Sequence, residues 1–221
     1  MGRRYVDLAH VVADGQVTYP GLPAPVISDH LSREASRAHY APGTEFHIGR
    51  IDMVTNTGTY LDTPAHRYAD GWGLDALPLE AVADLPGDVI DAQGPAIGGD
   101  TVAGRELAGH AVLFRTGWSR HFGTEAYGAP GHPFLTEEAA RVLLQARVAL
   151  VGIDSVNIDE TGDSSGGRRP VHSGLLAAGV PIVEHLTNLG ALTGPFRFFA
   201  VPVRVRGLGT FPVRAFAITE A

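Results

Sequence analysis

Apolar side chains recur along this chain mostly in short alternating runs and only once over a long helical stretch, a balance that predicts many strands and few helices. Residues 4–12, "RYVDLAHVV", alternate well enough for an opening strand, and the Pro- and Gly-rich "YPGLPAP" at 19–25 reads as a loop. "EFHIGRIDMVTNTGTYLD" (45–62) predicts a strand pair with His47, Gly49, Ile51 and Met53 on one parity. "PLEAVADLPGDVIDA" (78–92) predicts a short helix and then a strand, and "HAVLFRTGW" (110–118) another strand. "TEEAARVLLQAR" (136–147) is the best helix: Thr136 can cap it, Glu137 and Glu138 suit its N-terminal end, and Ala140, Val142, Leu143 and Leu144 supply an apolar stripe. "VALVGIDSVNID" (148–159) reads as a buried strand running out into polar residues. "HSGLLAAGVPIVEHL" (172–186) reads as a short helix stopped by Gly179 and a strand around 181–184. The last 25 residues or so carry at least two alternating strands, with "RGLGTFP" (206–212) as a hairpin turn. Strands outnumber helices without a regular βαβ alternation. The expectation is therefore one mixed α+β domain over residues 1–221, not a doubly wound sheet.

One stretch is patterned by polarity. In "TNTGTYLDTPAHRYADG" (55–71), Asn56, Gly58, Tyr60, Asp62, Pro64 and His66 fall at even positions, so an extended segment turns all of them to one face. Such a face can hold a metal ion, a substrate, or only itself.

Composition narrows the chemistry. The formal charge of −7 and pI near 5.7 argue against a nucleic-acid partner, which needs clustered basic residues. There is no Cys, so no disulfide, thiolate ligand or cysteine nucleophile, and all 17 basic residues are Arg, which excludes lysine Schiff-base chemistry. The N-terminal "MGRRYVDLAHVVADG" lacks the apolar core of a signal peptide, and no apolar run can span a bilayer, so the chain reads as cytoplasmic with no membrane partner. "GDSSGG" (162–167) reads as a polar loop.

The residues from Asn56 to His66, N-T-G-T-Y-L-D-T-P-A-H, resemble the signature H-x-G-T-H-x-D-x-P-x-H of the metal-dependent cyclase family that includes kynurenine formamidase and isatin hydrolase. Gly58, Thr59, Asp62, Pro64 and His66 match it; Asn56 and Tyr60 replace its first two histidines. "RTGW", "LTEEAARVLL", "LVGIDSVNID", "HSGLLAAGVPIVEHLTNL" and "FAVPVRVRGLGTFPVRAFA" extend the resemblance along nearly the whole chain.

The resemblance implies a swivelling β/β/α-type fold and hydrolysis of a small amide, imide or lactone by a metal-activated water. It implies Asp62, His172 and Glu184 as ligands of one divalent ion, zinc or manganese, and His66 as the general acid or base. It also implies a homodimer or homotetramer, for which the aromatic "FRFF" at 196–199 is the one hint in the residues. Tyr60 is a candidate catalytic group, and Asn56 and Trp72 are candidate substrate contacts. His47 and His185 are further imidazoles near the site, and His185 is a candidate substitute ligand. Two other readings stay open: a metal-free cyclase, dehydratase or isomerase acting through His66 and Tyr60, and a non-catalytic ligand-binding relative.

Overall fold

The structure, a computed structural model, describes residues 2–220. Its spine is a nine-stranded mixed sheet. In spatial order the strands are β1 (Arg3–Asp7), β13 (Phe216–Glu220), β11 (Phe196–Phe199), β5 (Leu85–Asp91), β7 (Ala111–Arg115), β9 (Leu150–Ile153), β10 (Ile182–Glu184), β4 (Tyr60–Asp62) and β12 (Thr210–Pro212). The centre, β5 to β10, is parallel, and the flanking pairs are antiparallel. Parallel strands are covered on both faces, which is why "AVLF" and "LVGI" are continuous apolar runs.

The two faces feed two cores. Val112, Phe114, Val151 and Ile153 point towards α2 (Glu137–Gln145) and α3 (Pro170–Ala177), meeting Leu143, Leu175 and Leu176. On the other face Leu113, Leu150 and Val183 pack on Leu61, Leu85, Phe198 and Ala217, residues of the same sheet. A sheet that buries one face against its own strands must curl. The result is a mixed α+β domain with few helices. The Thr136 hydroxyl accepts the Ala139 N–H at the start of α2, whose Ala139, Ala140 and Leu143 are buried. Two short strand pairs complete the chain: β2 (Val26–Leu31) with β3 (Ile48–Asp52), flanking the one-turn α1 (Arg33–Ser36), and β6 (Ala96–Ile97) with β8 (Phe134–Leu135). Among the described residues no helix is long and apolar enough to cross a membrane.

The structure corrects several local expectations. Residues 45–62 are not a strand pair: β3 joins β2, and Gly58, at φ +66°, bends the chain before β4 begins. The extended run with alternating polar positions is only Tyr60–Asp62, after which Pro64–His66 form a 3₁₀ turn. The helix expected after residue 78 is a single turn, Leu79–Ala81. "RGLGTFP" does not join a hairpin, because β12 pairs with β4 while β13 pairs with β1 and β11. "FRFF" is strand β11, paired on both edges, with Phe196 and Phe198 buried in the core, Arg197 exposed and Phe199 half-buried. Several exposed apolar side chains, Val26, Ile27, Phe46, Ile48 and Ile51, gather on the β2–β3 arm.

One contact ties β12 to the 3₁₀ turn. The Thr63 N–H and hydroxyl both donate to the Gly209 carbonyl, each at 2.8 Å. A Cβ on Gly209 would lie 2.2 Å from the His66 backbone nitrogen. Gly209→Ala is therefore expected to lower stability by about 1–3 kcal/mol, the usual cost of overpacking, in a denaturant titration. A change under about 0.5 kcal/mol would show that the turn yields freely.

Candidate active site

Three adjacent strands and the start of one helix bring the polar groups together. In the register of β4, Tyr60 faces Glu184 of β10, and Asp62 faces Thr210 of β12. Cross-strand partners lie about 5 Å apart at Cβ, within side-chain reach. His172, the third residue of α3, enters from the helix side. Pro170 suits the first helical position, where no N–H is needed. The free N–H groups of Val171 and His172 donate to the Asp159 carboxylate at 2.8 and 2.9 Å.

Asp159 also fixes the His172 ring. Its Oδ2 lies 2.7 Å from His172 Nδ1, and a carboxylate only accepts, so Nδ1 carries the proton. His172 Nε2 then faces Asp62 Oδ2 and Glu184 Oε1, each at 3.7 Å. Asp62 is fully buried. Its Oδ1 accepts the Thr210 hydroxyl at 2.5 Å, but its Oδ2 has no hydrogen-bond partner. An orphaned buried carboxylate oxygen costs about 1–3 kcal/mol or more, and here it points at an imidazole nitrogen among acids. Without a cation, protons must answer this excess of negative charge. Burial disfavours the His172 imidazolium, yet Glu184, Asp159 and Asp62 push its pKa up to about 10. Burial, with Asp62 nearby, pushes Glu184 up to about 7.

Asp62, His66 and His172 each offer a ligand atom, all within 4.8 Å of one another. Glu184 is more heavily engaged: its Oε1 accepts the Ile158 N–H at 2.6 Å and its Oε2 the Tyr60 hydroxyl at 2.8 Å. Each carboxylate oxygen retains a second lone pair, so Oε1 remains available to a cation. Thr210 has one hydroxyl proton. Given to Asp62, it makes Thr210 Oγ1 the acceptor for His66 Nδ1, 2.7 Å away, and leaves His66 Nε2 unprotonated.

Behind Glu184 runs a buried chain of donors. The Tyr60 hydroxyl donates to Glu184 and lies 3.2 Å from His185 Nε2, while His185 Nδ1 lies 2.7 Å from the Tyr127 hydroxyl. With the Tyr60 proton on Glu184, His185 must donate through Nε2 and accept from Tyr127 through Nδ1. Burial pushes His185 down to about 3 and raises Tyr60 and Tyr127 well above the ordinary phenol value, so all three stay neutral. Tyr60 is thus a hydrogen-bonded strut for Glu184, and His185 holds Tyr60.

A cavity of about 300 Å³ is lined by Asn56, Tyr60, His66, His172 and Glu184, together with Tyr19, Arg67, Asn157 and Arg169. Trp72 lies outside it, in a separate depression with Tyr68 and Leu176, because the chain has turned away by Gly71. His47 is exposed on the β2–β3 arm and bound to Asp29. Asp159, Thr210, Asn157 and Arg169 were not singled out from the sequence. Asp159 closes the polar end of the run "LVGIDSVNID", a visible signal; Thr210 is 148 residues from Asp62 and carries none.

A carboxylate and an imidazole converging at one cavity on a mixed sheet form a hydrolase-type centre with a candidate metal site. The profile described as "Putative cyclase" matches residues 6–160. The kynurenine formamidase of Salinibacter ruber is 29% identical over 171 residues, 76% of this chain and 78% of that one. The kynurenine formamidase of Bacillus cytotoxicus is 26% identical over 213 residues, 96% and 95% of the two chains. Isatin hydrolase A from Ralstonia solanacearum superposes with a TM-score of 0.80 at 25% identity, covering 99% of this chain and 92% of that one. The chain belongs to the putative cyclase family and is a hydrolase of that family.

Tyr60→Phe strips Glu184 Oε2 and His185 Nε2 of their shared partner. It is expected to destabilise the protein by about 1–3 kcal/mol, read as a lower denaturant midpoint at unchanged slope. An unchanged midpoint would mean that the hydroxyl supports nothing.

Proposed function

We propose that the chain hydrolyses a small amide, imide or lactone with a divalent ion held by Asp62, His172 and Glu184. The observation that carries this reading is the orphaned Asp62 Oδ2 facing His172 Nε2. Their 3.7 Å separation is under twice the usual ligand distance of about 2.1 Å, so one ion can touch both. Asp159 supports it by fixing the ring orientation, as carboxylates behind metal-bound histidines do. The N,O,O set suits Zn²⁺ or Mn²⁺. When bound, such an ion polarises a carbonyl and acidifies water.

The residues supply the remainder. His66 Nε2 takes a proton from the attacking water and returns it to the departing nitrogen or oxygen. Its tether to Thr210 keeps the ring in one tautomer through the cycle. Asn56 offers a neutral amide N–H to the substrate oxygen from the cavity wall. Tyr60, being committed to Glu184, positions that carboxylate and does not exchange protons with substrate. The relatives named formamidase and isatin hydrolase support an amide or lactam as the bond class.

The test is hydrolysis of N-formylaniline and related small amides and lactones by protein loaded with Zn²⁺ or Mn²⁺. Turnover is expected to vanish on exhaustive chelation and return with the ion. His66→Ala is expected to lower kcat by about 10²–10⁴ while the ion content stays unchanged. Turnover that survives chelation would overturn the reading in favour of metal-free acid–base chemistry, and loss of the ion in His66→Ala would make His66 a ligand.

A further inference from the structure

The cavity is electrically two-ended. Its deepest lining groups are Glu184, Tyr60 and His172, 1%, 2% and 5% exposed, next to the fully buried Asp62. Towards solvent it is lined by the half-buried Arg169 and the exposed Arg67. Acids gathered at the floor explain a cation. They do not explain two guanidinium groups at the mouth.

Arg37, Arg115, Arg197 and Arg214 each pair with a carboxylate. Arg67 and Arg169, like most of the other arginines, form no ion pair among the described residues, and they are the two arginines that line this cavity. Arg169 Nη1 donates to two neutral acceptors, the carbonyls of Glu160 and Arg168, at 3.0 and 2.9 Å. Those bonds hold the fork in place without neutralising it, and the Tyr19 hydroxyl lies against it. Arg67 is steadied by Ser173 Oγ at 3.3 Å and by the face of Tyr68, 5.2 Å from the ring centre. A half-buried guanidinium held rigid by carbonyls and lacking a counter-charge is preorganised for a planar anion, which it can grip through two parallel N–H donors. The chain carries −7 overall, so an anion arriving at an acidic floor needs such a local attraction.

We infer that the substrate carries a carboxylate, read by Arg169 with help from Arg67 at the mouth, while its scissile carbonyl points down to the Asp62–His172 floor. This rests on the hydrolytic reading and narrows it to acidic amides or lactams. The cavity of about 300 Å³ has room for a single-ring molecule with both groups.

Benzoate and benzamide, matched in shape and differing in charge, are the probes, measured by calorimetric titration with and without Zn²⁺. Benzoate is expected to bind at least about tenfold tighter than benzamide, and to keep that preference after chelation, since a charge-assisted pair is worth about a factor of ten. Arg169→Gln should erase the preference, and Arg169→Lys should retain part of it, with neither changing the melting temperature appreciably. In turnover, N-formylanthranilate should exceed N-formylaniline in kcat/KM by about tenfold or more, chiefly through KM, and Arg169→Gln should level the two. Equal binding of the two probes, or a preference lost on chelation but untouched by Arg169→Gln, would overturn the inference. If neither formyl compound turns over while the benzoate preference stands, the carboxylate subsite survives and the hydrolytic reading falls.

Discussion

The structure turns on a buried carboxylate aimed at a buried imidazole. Asp62 Oδ2 and His172 Nε2 meet 3.7 Å apart, with Asp159 gripping the far side of the ring and Glu184 equally close on the near side. Isolated charges are not left in a protein interior, because the loss of hydration costs several kcal/mol per ion even after relaxation. Here three carboxylates surround one imidazole, so positive charge is missing. In the ion's absence a proton supplies it, which is why His172 is driven up to about 10 and Glu184 to about 7. The proposed divalent cation would supply it better, since it would satisfy the orphaned oxygen and the imidazole lone pair together.

Strand order serves this meeting. β4 lies between β10 and β12, so a single three-residue strand sets Tyr60 against Glu184 and Asp62 against Thr210. Thr210 then donates its hydroxyl hydrogen bond to Asp62 and orients His66, and Gly209 lets β12 approach closely enough to do so. The replacement of two signature histidines by Asn56 and Tyr60 has a structural answer in His185. Tyr127, His185 and Tyr60 form a line of neutral donors ending on Glu184.

Much of this was legible in the residues. The strands β7, β9 and β10 and helix α2 stood out because local periodicity and apolar packing agree there, and the family motif marked Asp62 and His66. What escaped was set by partners distant in sequence. Nothing near Thr210 announces Asp62. The even spacing from Asn56 to His66 suggested one long strand, but a left-handed Gly58 and the Pro64 turn break it, and Asn56, Tyr60 and His66 reach one cavity by bends. "FRFF" lies on β11, which pairs with a strand on each side; Phe196 and Phe198 turn into the core, and Arg197 and Phe199 turn to the other face.

The most direct test of the central claim is a calorimetric titration of Mn²⁺ or Zn²⁺ into chelator-treated protein beside Asp62→Asn. The account predicts saturation at about one ion per chain with proton release, and a loss of at least about tenfold in affinity in the variant, because ion binding must displace the proton that now answers the buried charge. Saturation well below one ion per chain, or Asp62→Asn binding as tightly as the parent, would contradict it.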